Sequence, residues 1–202
     1  MCFMSVSPFL VSLLALAVAA FVAPARAEVA SIGGSAWLKG EILPRDLQTL
    51  IERRREGMVV HLDSGGGQLV SAIAIGRLLR QMKGVAVVEA GSTCFSACVY
   101  VLAGAPYRVV RPGAVVGVHK PYDPDDDHLS PEQRESKQAR LDAFVRAYLK
   151  EVNVPPALYD AMLQAPQGRA LPPSELSWYG LAGNDRKQQA ADGAASIGSV
   201  TR

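Results

Sequence analysis

Apolar and polar positions change rhythm several times along the chain. Residues 28–35 are a polar lead-in with Gly33-Gly34, and residues 36–42 alternate as an edge strand would. From Pro44 to Arg55, apolar Leu47, Leu50 and Ile51 share one face, which predicts a helix that Gly57 stops. Met58 to Leu62 is a short apolar strand, and Ser64-Gly65-Gly66-Gly67 after it reads as a loop. Leu69 to Gln81 returns to helical spacing, with Val70, Ile73, Ile75 and Leu78 apolar, and Gly84 ends that unit.

Val85 to Glu89 is a further β-rich run, Gly91-Ser92-Thr93 a turn, and Phe95 to Leu102 an apolar segment suited to a buried helix. Val109-Val110 and Val115 to Val118 are short strands. This alternation of strand and helix predicts an α/β domain with a mostly parallel sheet covered by helices.

The last third is helical. Ser130-Pro131-Glu132-Gln133 supplies a cap residue, proline at the first helical position and glutamine at the capping-box position. The helix it opens should run to about Val152, with Pro155-Pro156 breaking it. Shorter helices follow over Ala157 to Gln164 and Pro173 to Tyr179. Residues 185–202 are rich in Gln, Ala, Gly and Ser and read as a disordered tail.

Ahead of the domain, Phe9 to Val22 form an apolar run followed by the small-x-small site Ala25-Arg26-Ala27. This is the pattern of a secretory signal peptide over residues 1–27, although residues 1–8 carry no Lys or Arg. The alternative is an uncleaved anchor, against which the run is short for a membrane span; after cleavage no span is expected. The expected organisation is a leader at 1–27, one domain at 28–184 and the tail. An exported, periplasmic-type location follows from the leader.

Composition adds limits. The 202 residues suffice for one domain with a sizeable core, and the formal net charge is only +2. The basic cluster Arg53-Arg54-Arg55 lies between Glu52 and Glu56 at a predicted helix end, which does not suggest a nucleic-acid partner. Asp123, Asp125, Asp126 and Asp127 beside His128 lack calcium-loop spacing, so no metal and no cofactor are expected. After cleavage Cys94 and Cys98 remain as a pair, which an oxidising compartment could join or leave as two small buried thiols.

Candidate chemistry gathers at two strand-to-helix turns, Leu62 to Gln68 and Cys94 to Cys98. Ligands of open α/β sheets bind outside the carboxyl ends of strands, where both turns should lie. Glycine backbones there let N–H groups approach a phosphate or an oxyanion, although a plain tight turn explains the glycines equally well. Ser96 opens an apolar helix, a place for a cap or for a nucleophile that needs a base. Of three histidines, His128 sits in the acidic loop and His61 inside an apolar strand. His119 ends a strand at the ligand edge, where a general base belongs.

Taken in order, Ser64-Gly65-Gly66-Gly67, Ser96-Ala97 before Leu102-Ala103-Gly104, and Val118-His119-Lys120-Pro121 resemble the Clp protease proteolytic subunit family, of the ClpP/crotonase-like superfamily. A weaker echo runs from Leu171 to Gly183. The resemblance implies Ser96 as nucleophile, His119 as general base, and an oxyanion hole from the backbone of Gly66, with Gly67 beside it, and of Ala97. It implies a peptide or protein substrate and leaves room for a homo-oligomer. Gly65 replaces the family's proline. More seriously, the family's triad acid falls on Gly168, and neither Asp160, Gln164 nor Gln167 occupies that position. The expectation is therefore an exported, peptidase-like serine hydrolase. A non-catalytic peptide- or acyl-binding protein on the same fold is the alternative. An acyl-thioester enzyme is disfavoured by export, since coenzyme A is cytosolic.

Overall fold

A computed structural model of the chain describes residues 28–32 and 34–183. The expected leader and the expected tail lie outside the described residues. Eight strands form one sheet that forks at its longest member. β1 (Glu28–Ile32) runs antiparallel to β2 (Ser35–Ile42), and β2 pairs in parallel with β3 (Val59–Gly67). The first half of β3 pairs with β4 (Val85–Val88), which continues to β6 (Tyr107–Val110). Its second half pairs at Ser64 with β5 (Thr93–Phe95), then β7 (Val115–Val118) and the short antiparallel β8 (Arg169–Ala170).

The mostly parallel α/β expectation holds, with three corrections. The lead-in at 28–32 is a strand, so β2 is an interior strand rather than an edge. The glycine run is strand as well: Gly66 and Gly67 pair with Glu41 and Ile42, at φ of +117° and +136°. A methyl group on Gly67 would collide with the Ile42 backbone, so only glycine lets β2 and β3 approach there. The apolar segment from Phe95 is split into β5, an elbow at Ser96, and α3 (Cys98–Gly104).

Helices α1 (Pro44–Glu52), α2 (Leu69–Gln81) and α3 bring their apolar faces to the core. α1 stops before the three arginines. α2 and α3 cross where Gly76 meets Gly104, and no side chain fits between their backbones. The Tyr148 hydroxyl donates to the Tyr100 carbonyl beside this crossing at 2.7 Å. That bond draws in α4 (Pro131–Glu151), whose start is capped by Ser130 and Gln133 as the sequence predicts. α5 (Ala157–Leu163) and α6 (Pro173–Trp178) complete the domain. The acidic segment forms a 3-10 turn at Pro124–His128 before α4. Among the described residues no helix is long and apolar enough to cross a membrane.

Candidate active site

Ser96 sits between a strand and a helix, held from both sides. Its N–H donates to the Gly117 carbonyl of β7 at 3.1 Å, and its carbonyl accepts from Val99 in α3 at 3.0 Å. Its φ is +57°, a left-handed conformation that a side-chain-bearing residue adopts at a cost of roughly 1–3 kcal/mol. Two flanking residues hold the elbow shut: Cys94 in β5 and Cys98 at the start of α3 form a disulfide, with Cα atoms 5.2 Å apart. Both cysteines are fully buried.

The cross-link closes a five-residue ring around Phe95, Ser96 and Ala97. Replacing both cysteines by alanine is expected to cost about 2 kcal/mol of stability, the entropy of so short a loop. A urea titration with an unchanged slope and a lowered midpoint would measure it.

The sequence-predicted pair is assembled. His119 follows β7, and its Nε2 lies 2.6 Å from Ser96 Oγ. Its Nδ1 lies 2.7 Å from the Lys120 carbonyl oxygen. A carbonyl can only accept, so Nδ1 carries the proton and Nε2 is left to accept from the serine hydroxyl. Lys120 is fixed in turn, because its N–H donates to the Ala165 carbonyl at 3.0 Å. Among the described residues no carboxylate pairs with His119. Asp160, close to Gly168 in sequence, is engaged by Arg146 at 2.6 Å.

Gly168 does lie beside the histidine, as the resemblance places it. A methyl group there would stand 3.6 Å from His119 Cβ and 3.0 Å from the Phe95 ring. The sequence-predicted site does not include Phe95. Its ring lies nearly parallel to the imidazole, centroids 5.8 Å apart and planes 12° apart.

Gly66, near the end of β3, and Ala97, at the elbow, both approach Ser96. A methyl group on Gly66 would come within 2.7 Å of Ser96 Cβ and 3.2 Å of the Ala97 nitrogen. Ala97 precedes the first turn of α3, where N–H groups have no helical acceptor. The Gly66 N–H is occupied, donating to Ser64 Oγ at 3.1 Å, while Ser64 donates to the Gly40 carbonyl. Gly67 lies beside it and lines the adjoining cavities.

One cavity of about 100 Å³ lies beside Ser96 and His119, with Leu69, Tyr100 and Met162 as its apolar wall. It shares Gly67, Leu69, Pro121 and Tyr122 with a larger groove of about 490 Å³. The other histidine in a strand, His61, is remote in role: it stacks on Trp37 at 4.6 Å and stands 3.0 Å from a Glu89 carboxylate oxygen. Among the described residues no cluster of His, Cys, Asp and Glu could hold a metal ion.

No protein-family model matches the chain, and no curated protein matches it in sequence. Among solved structures it is similar to a serine-to-alanine mutant of the membrane-bound stomatin-specific protease 1510-N. The TM-score is 0.55, over 76% of this chain and 80% of that one, at 19% identity. At that identity the likeness is one of architecture. The chain shares with that protease its α/β fold, here a mostly parallel sheet with helices packed against it.

Proposed function

We propose that the protein is a serine hydrolase, peptidase-like in substrate, working through a Ser96–His119 dyad. The observation that carries this reading is the 2.6 Å contact between Ser96 Oγ and a His119 nitrogen left free to accept a proton. Ser96 Oγ attacks a carbonyl carbon while its proton passes to Nε2. The tetrahedral oxyanion is met by the Ala97 N–H, with Gly66 joining when its bond to Ser64 is shared. Nε2 then returns the proton to the leaving amine, and water releases the acyl group by the same steps in reverse order.

The Lys120 carbonyl does part of the work of the missing acid. It selects the tautomer, but as a neutral dipole it stabilises the imidazolium less than a carboxylate would. The dyad is therefore a slow one. An apolar pocket beside the pair and a groove leading from it suit an extended peptide better than a small polar metabolite. The leader pattern and the Cys94–Cys98 pair support an exported, periplasmic-type setting.

The alternative, a non-catalytic peptide- or acyl-binding protein, draws on the same absence of a carboxylate beside His119. Treatment of the full chain with a fluorophosphonate separates the two. In a hydrolase the Ser96 Oγ–P bond forms, the P–F bond breaks, fluoride leaves and the proton goes to His119. Mass spectrometry should place the adduct on Ser96, and Ser96→Ala should take up none. A folded protein that stays unlabelled at millimolar probe would leave binding as the function.

A further inference from the structure

We propose that Phe95 is the positioning residue of the catalytic imidazole, its ring filling the space that a side chain at position 168, where the resemblance puts the triad acid, would enter. This rests on the Ser96–His119 reading above. Two hydrogen bonds, to Ser96 and to the Lys120 carbonyl, hold the imidazole at its two nitrogens. Both lie close to one line through the ring, so they leave it free to rock about that line. The parallel Phe95 ring closes off this motion from one face.

The seat of Phe95 is built for it. Phe95 pairs with Gly117 across β5 and β7, and a methyl group on Gly117 would run into the Phe95 ring. On the far side Gly168, at φ +76°, leaves the ring its edge: a methyl there would meet Cζ at 3.0 Å. Gly168 is also on the flank of His119, 3.6 Å from its Cβ by the same measure. A side chain at 168 would meet the ring edge before anything else, so an aspartate there needs the ring moved. Ring and acid are thus alternative occupants of one space, and this chain has the ring with two glycines that admit it. The disulfide on either side of Phe95 and Ser96 ties the ring and the nucleophile into one rigid unit.

The test uses the full chain with Phe95→Leu, Phe95→Ala, Gly168→Asp and the double variant Phe95→Ala/Gly168→Asp. The limiting rate of Ser96 phosphonylation is separated from the probe concentration giving half that rate. Phe95→Ala should lower the limiting rate about ten- to a hundredfold with half-saturation unchanged, the effect of a misplaced base. Phe95→Leu, which keeps bulk without a flat face, should fall between. Gly168→Asp should also slow labelling, by displacing the ring. The double variant should recover at least tenfold over Phe95→Ala, since aspartate tolerates positive φ and the ring's space is open.

A limiting rate within twofold of wild type in Phe95→Ala, or a double variant no faster than Phe95→Ala, overturns the proposal. Nitrogen-15 NMR of the three histidines supplies a readout without catalysis. His119 should show one tautomer, protonated at Nδ1, in the wild type and a mixture in Phe95→Leu and Phe95→Ala. Should the wild type not label at all, the hydrolase reading fails. A single tautomer in both Phe95 variants would then still overturn the positioning role.

Discussion

His119→Ala is expected to slow fluorophosphonate labelling of Ser96 about a thousandfold, within the range for loss of a general base. The imidazole Nε2 is the one titratable partner of Ser96 Oγ among the described residues, at 2.6 Å. Without it the hydroxyl must lose its proton to water. The Ala97 N–H and the dipole of α3 remain, so a residual rate over free serine should persist. His119→Gln, which can hydrogen-bond to Ser96 without taking a proton in this range, should be as slow as alanine. Added imidazole should restore part of the rate to His119→Ala, because the Phe95 ring and the Lys120 carbonyl still outline an imidazole-shaped space. It should do nothing for His119→Gln. Equal labelling of wild type and His119→Ala would mean that Ser96 reacts by exposure alone, and the dyad would be discarded.

How much of this site the sequence disclosed depends on how local each cause is. Helices α2 and α4 are legible because their determinants lie within the segment: an apolar face in one, a Ser130–Gln133 cap in the other. Residue order makes Ser96 and His119 candidates, since histidine is scarce and strand ends in a parallel sheet are where ligands bind, but it is the family resemblance that pairs them. Strand β1 and strand β8 are not. The first is a five-residue lead-in ahead of two glycines, and the second has two residues whose strand character comes wholly from pairing with β7.

The glycine run misleads in an instructive way. Locally it promises a loop, yet the backbone of Ile42 stands where a side chain on Gly67 would be, and that neighbour lies twenty-five positions away. The occupied Gly66 N–H depends likewise on Ser64 reaching the Gly40 carbonyl. Phe95 carried no sequence signal by itself. Its meaning comes from Gly117 and Gly168, two glycines that look unremarkable until both are found against one ring. The departure at Gly168 is visible in the sequence as a missing acid, but the Phe95 ring that borders the position is not.

Arg108→Met is expected to destabilise the domain by roughly 3–5 kcal/mol, the cost of breaking a buried charged network on one side. Arg108 lies on β6 and is 3% exposed. Its guanidinium donates to the carbonyls of Ala103 and Ala105 at the end of α3, Val152 after α4, and Gly180 after α6. Three helix C-termini, each carrying partial negative charge and unpaired carbonyls, thus converge on one cation with no carboxylate among its hydrogen-bond partners. Burial, with Arg80 nearby, pushes its pKa down to about 10, still far above neutral pH, so the group remains charged.

Methionine fills much of the volume but donates nothing, and the buried carbonyls lose their partner. Lysine keeps the charge but cannot reach four carbonyls from a single ammonium, so Arg108→Lys should lose at least half as much. For a domain of this size the methionine variant should melt about 10 °C lower. The same clamp holds the far end of α3, whose near end carries Ala97 and Ser96. Stability and chemistry should nevertheless separate, because the disulfide and the β5–β7 ladder hold the elbow directly. At a temperature where Arg108→Met is folded, Ser96 should label at the wild-type rate per folded molecule. If labelling falls in proportion to stability instead, the elbow is held by the C-terminal end of α3 rather than by the covalent ring around it.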